Sequence, residues 1–94
     1  MPEKIFTVEW PNGEEQEYYS PSSIIEQFLN TGESYTVQEF LQRATDGLNN
    51  ASERVRESYG YACSRAQEQL HRIESKSKTF NDNKTAIVKI ISIQ

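Results

Sequence analysis

The run from Tyr35 to Tyr59 constrains this chain more than any other. Thr36 is placed to cap a helix with its hydroxyl, and Glu39 stands three residues on to complete a capping box. Tyr35, just before the cap, is spaced to pack on Phe40 as a hydrophobic staple. From there Val37, Phe40, Leu41, Ala44, Leu48, Ala51, Val55 and Tyr59 recur at helical spacing along more than five turns. Gly47 and the pair Asn49-Asn50 weaken the middle, so a kink or a looser turn is expected there. Gly60 is the natural stop.

The first thirty residues read as a hairpin. In KIFTVEW, Phe6, Val8 and Trp10 alternate with Thr7 and Glu9, the period of a half-buried strand. Pro11-Asn12-Gly13 then turns the chain, because Pro presets φ and Gly accepts the left-handed conformation. A type I turn with a bulge at Gly13 sets Trp10 opposite Glu14 and Phe6 opposite Tyr18, whereas a two-residue loop would offer Tyr19 instead. Proline before Asn-Gly favours the bulged form, which places the second strand at about Glu15 to Tyr19. Ser20-Pro21 then reads as the cap and first residue of a short helix carrying Ile24, Ile25, Phe28 and Leu29, ended by Asn30-Thr31-Gly32.

A third helix is expected from about Tyr61 to Lys78, with Ala62 or Cys63, Ala66, Leu70 and Ile73 as its buried line. The alternative is one long helix running through Gly60, since an interior glycine costs only about 1 kcal/mol. Asn81-Asp82-Asn83 is a turn. The segment from Thr85 to Ile93 carries Ile87, Val88, Ile90, Ile91 and Ile93, apolar on both faces of a strand.

These elements give a single α+β domain of order β-β-α-α-α-β, with a three-stranded, mainly antiparallel sheet and helices on one face. The last strand is expected to add beside the first and to form an edge. An edge that is apolar on both sides is a pairing hazard, so a homodimer through the C-terminal strand is the expected remedy.

Charge excludes some functions. Residues 1–30 carry Glu3, Glu9, Glu14, Glu15, Glu17 and Glu26 against Lys4, a local balance of −5, while the helical middle is neutral. That distribution disfavours nucleic-acid binding, which needs clustered Lys and Arg. The chain has one cysteine, which suits a reducing compartment. The start MPEKIF has no apolar targeting core, and no apolar run reaches the roughly 18 residues of a membrane span. A soluble cytoplasmic protein without membrane contact is expected.

Local chemistry concentrates between Ala51 and Glu74. Cys63 near a helix start, with Arg65 close by, is a candidate nucleophile for a thiol-dependent enzyme or carrier. It lacks a local base, because His71 lies eight residues away on the same helix, about 12 Å of axial rise. A small buried residue on the Ala-Cys-Ala line is the simpler reading of Cys63. One Cys and one His do not make a metal site, and neither a metal nor a cofactor is expected. Arg54, Arg56, Arg65 and Arg72 could gather to hold an anion or an acidic partner if the helices fold back on each other. Tyr59 and Tyr61, flanking Gly60, could form a binding rim or simply close the core.

The combination WPNG at 10–13, YSPS at 19–22, YTVQEF at 35–40, ASERVR at 51–56 and YGYACSRAQEQL at 59–70 resembles a small bacterial family labelled as nitrogen-starvation-response proteins. The resemblance implies a gene neighbourhood with a nitrilase-type carbon–nitrogen hydrolase and a role in nitrogen metabolism. It supplies no catalytic residue. A non-enzymatic accessory or regulatory protein is therefore the expectation, with another protein of the nitrilase-associated pathway as partner and the Tyr59 to Arg72 region or the last strand as contact surface.

Overall fold

The computed structural model describes residues 3–60, 64–80 and 85–94. Among these residues seven elements follow one another: β1 (Lys4–Glu9), β2 (Glu15–Ser20), a 3-10 turn (Ser23–Gln27), β3 (Ser34–Thr36), α1 (Val37–Tyr59), α2 (Ser64–Lys78) and β4 (Ile87–Ile93). They make an α+β fold in which four strands run antiparallel in the order β2-β1-β4-β3.

The hairpin forms in the bulged register. Trp10 N–H donates to Glu14 O and Gly13 N–H to Trp10 O, both at 2.8 Å, and Phe6 faces Tyr18. Gly13 has φ +88°, the left-handed value the bulge requires. Downstream of β2 the helix is a single 3-10 turn. Its cap is Ser22, whose hydroxyl accepts from Ile24 N–H, and not Ser20. Ser20 is fully buried and uses its hydroxyl on the backbone of Ser22.

The sheet has four strands where three were expected, and β4 is interior. Ser34–Thr36 pair with Lys89–Ile87, and Ile90 exchanges hydrogen bonds with Gly32 and Glu33. On its other side β4 pairs with β1, as expected. The edge from Ile87 to Ile90 is therefore occupied, and it is not open to a second copy. The physical reason lies in the alternation of β4, which a bulge conceals. The register slips between Thr7 and Val8, where Ile90 faces Val8 and Ser92 faces Thr7. Ile91 is the extra residue, so Val88 and Ile90 reach the core before the slip and Ile93 packs against it afterwards. Ile87 points to the opposite face, where it is 46 % exposed.

α1 runs unbroken through Gly47, with no looser turn there. The helix needs glycine there for contact, not for bending. A Cβ at Gly47 would lie 2.6 Å from Ile25 Cδ1 and 3.3 Å from Phe28 Cβ, so the 3-10 turn packs directly on the helix backbone. Thr36 caps α1 through Glu39 N–H at 3.1 Å. The Glu39 carboxylate goes to Arg43. Arg43 in turn donates to Phe28 O and lies over the Tyr35 ring, which ties the loop before β3 to α1. Gly60, at φ +82° with its N–H on Arg56 O, ends the helix and excludes one continuous helix. α2 is described from Ser64 to Lys78, and its expected start near Tyr61 lies outside the described residues.

The core lies between one sheet face and the helices. Phe6, Val8, Trp10, Tyr18, Val88 and Ile90 meet Phe40, Ala44, Leu48, Leu70 and Ile73. The expectations for Tyr61, Ala62, Cys63, the turn at 81–83 and the Tyr59 side chain lie outside the described residues.

The close approach at Gly47 sets a test. Gly47→Val should lower the unfolding free energy by about 1–3 kcal/mol through overpacking. Asn49→Ala, at an exposed position on the same helix, should raise it by a few tenths. Urea unfolding of both variants beside the parent reads out the difference.

Candidate binding site along the free sheet edge

β2 is an edge strand, and its hydrogen-bonding parity follows from the turn. Because Trp10 bonds Glu14, the residues turned towards β1 are Gln16, Tyr18 and Ser20. Glu15, Glu17 and Tyr19 turn their backbone groups outwards. α2 runs along this edge and presents Arg65, Gln69, Arg72 and Lys76, spaced four, three and four residues apart, which is one helical stripe. Gln69 is 8 % exposed, and its Oε1 accepts from Tyr19 N–H at 3.2 Å. A side-chain amide thus takes the place that a neighbouring strand would fill. The Arg65 guanidinium lies 3.9 Å from the centre of the Tyr19 ring, and that of Arg72 lies 5.6 Å from the centre of Tyr18. At the turn end, Lys76 Nζ is hydrogen bonded to Glu14 Oε2.

Between the Gln69 and Lys76 contacts lies an open groove. Gln16 and Tyr18 form its strand side, and His71, Arg72, Ser75 and Lys76 form its helix side. Tyr18 is nearly fully buried, and its hydroxyl oxygen accepts from Trp10 Nε1 at 3.1 Å. Burial pushes the Tyr18 hydroxyl pKa up, outweighing the Trp10 hydrogen bond and the Arg72 charge, which act to lower it. Glu14 moves the other way. The Lys76 hydrogen bond, then its charge, holds the carboxyl below the usual carboxylate range. A second groove lies between the start of α1 and Glu74 of α2.

The candidate residues from the sequence separate in space. Arg65 belongs to the α2 stripe. Arg54 and Arg56 are exposed on α1, where Arg56 pairs with Glu53 at 3.7 Å. Cys63 and Tyr61 lie outside the described residues, as does the Tyr59 side chain. Sequence reasoning missed Gln69, Lys76, Gln16 and Tyr18. The four-three-four spacing of Arg65, Gln69, Arg72 and Lys76 was the available signal. Among the described residues no group of three or more His, Cys, Asp or Glu is placed to hold a metal ion. No helix among them is long and apolar enough to cross a membrane. The arrangement offers backbone hydrogen bonds and cations beside a strand edge, which is equipment for binding.

Two variants probe these contacts. Lys76→Met should raise the Glu14 pKa back towards the ordinary carboxylate value, followed by NMR titration of its side-chain carbon. With a depressed folded-state pKa, the pair stabilises above the unfolded-state value and loses its effect as pH falls through the folded-state one. Tyr18→Phe leaves the buried Trp10 N–H without an acceptor and should cost about 1–3 kcal/mol in urea unfolding.

The family model described as nitrogen starvation-induced protein NitG matches residues 5–93. No curated protein and no solved structure matches the chain. The match covers almost the whole sequence and agrees with the nitrogen-starvation resemblance carried by its motifs. The chain belongs to the NitG family of nitrogen starvation-induced proteins.

Proposed function

We propose that this chain is a non-enzymatic accessory or regulatory protein of the nitrogen-starvation response, acting through contacts with other proteins. The observation that carries the reading is the strand edge of β2, left open among the described residues beside the cationic stripe of α2. Edges that are not paired or covered are contact surfaces by their chemistry. The family description supplies the physiological setting.

The partners in this reading are enzymes of a nitrilase-type cluster in the cytoplasm of a bacterium. The contact surface is the face of α2 from Arg65 to Arg72, with the exposed Ile87 side of β4 as a second area. A homodimer, if formed, uses a surface other than the backbone of β4 between Ile87 and Ile90, because β3 and its leading loop occupy it.

The tagged full chain should enrich a nitrilase-type hydrolase or another enzyme of its gene cluster from nitrogen-starved cells. Cys63→Ser should enrich the same enzyme and restore growth of a deletion strain as well as the parent does. A Cys63→Ser chain that binds but fails to restore growth would transfer the function to the thiol. Absence of every cluster enzyme from the captured proteins would remove the accessory reading. A monomeric mass by light scattering at about 50 µM would remove the homodimer.

A further inference from the structure

We infer that the Glu15–Glu17 stretch of β2 docks an extended segment of a partner protein in which acidic side chains facing α2 alternate with basic side chains facing outwards. This deepens the proposal above and rests on it for the existence of a protein partner.

Among the described residues the edge is closed at both ends and open between. Gln69 takes the Tyr19 N–H, and the Glu14–Lys76 pair stands at the turn. Glu15 and Glu17 lie between these clamps with their N–H and C=O groups directed outwards, which is the ladder an added strand requires. The clamps limit the docked segment to a few residues.

The side chains along this stretch sort the charge of what fits. Gln16 and Tyr18 turn towards the groove, and the wall opposite them carries His71, Arg72, Ser75 and Lys76. Lys76 is engaged by Glu14, whereas Arg72 has no carboxylate partner among the described residues. A docked residue opposite Gln16 turns its side chain to this wall and gains from being acidic. Glu15 and Glu17 turn to the other face, beside Glu9 and Thr7 of β1, and neither forms an ion pair among the described residues. A docked residue opposite Glu17 therefore gains from being basic. A second copy of β2 fits badly, since pairing about Gln16 sets Glu15 of each copy against Glu17 of the other, and like charges directly opposite are destabilising.

The test titrates the full-length, 15N-labelled protein with the peptide Ac-KEVEKE-NH2 and with its permuted form Ac-KKVEEE-NH2, followed by amide shifts. The alternating peptide should move the Glu15 and Glu17 amides saturably and bind about 5–10-fold more tightly than the permuted one. Glu17→Pro removes an outward N–H without breaking the β1 ladder, and should weaken binding by about 2- to 10-fold, the range for one hydrogen bond. Arg72→Glu should reduce the preference for the alternating peptide. Both variants are checked for a parent-like spectrum, and each tests the site alone if the other misfolds. Equal affinity for the two peptides, shifts centred elsewhere, no shifts at several millimolar peptide, or unchanged binding by a folded Glu17→Pro each overturns the inference. If a cluster enzyme is still captured while the peptides fail, the docking edge falls and the accessory role stands. If both fail, both fall.

Discussion

The indole of Trp10 is the contact on which the other elements converge. It stacks on Phe80 with ring centres 5.7 Å apart, meets Phe40 of α1 edge-on at 5.4 Å, and donates its N–H to Tyr18 of β2. One side chain thus touches the sheet, the long helix and the segment that follows α2. Aromatic pairs of these geometries add about 0.5–1.5 kcal/mol each beyond their buried area. Position matters as much as contact, because Trp10 stands at the last place before the turn. The bulged register sets Tyr18 on the same face as Trp10. A loop one residue shorter would send Tyr18 to solvent and leave the indole N–H buried without an acceptor.

The second constraint is the passage of β4 through the middle of the sheet. A strand read as apolar on both faces becomes ordinary once the bulge at Ile91 is counted, since its core-facing residues are Val88, Ile90 and Ile93. Its outer flank is covered by three residues, Ser34–Thr36, too few to stand alone as a strand. They hold because Arg43 fixes the loop before them and Thr36 continues directly into the cap of α1. The sheet's other flank receives a lighter cover, from side chains of α2.

What the sequence disclosed, it disclosed locally. The hairpin and its register, the start of α1 and its stop at Gly60 are all written in neighbouring residues, with the turn chemistry of Pro11-Asn12-Gly13 the clearest case. Thr36 was legible as a cap, while its membership of β3 was not, because that depends on β4 some fifty residues later. Gly47 was read as a weakness by helix propensity alone, and only the packing of Ile25 and Phe28 gives its reason. The edge site was hidden for a similar cause. Arg65 and Arg72 were weighed as charges to be grouped with Arg54 and Arg56, yet their neighbours are Tyr19 and Tyr18 across the chain. Gln69 carries no signal in the sequence, since a lone glutamine has meaning only beside the strand whose N–H it receives.

The strand order has a consequence for how the molecule is made. β4 stands between β1 and β3, yet it follows both of them, and α1 and α2 as well, along the chain. Until it arrives, β1 has a partner on one side only and β3 has none. The central pairings join segments far apart along the chain, which slows closure of the sheet and prolongs exposure of unpaired strands. A chain stopped before Ile87 therefore leaves the β4 side of β1 and the partner side of β3 unpaired.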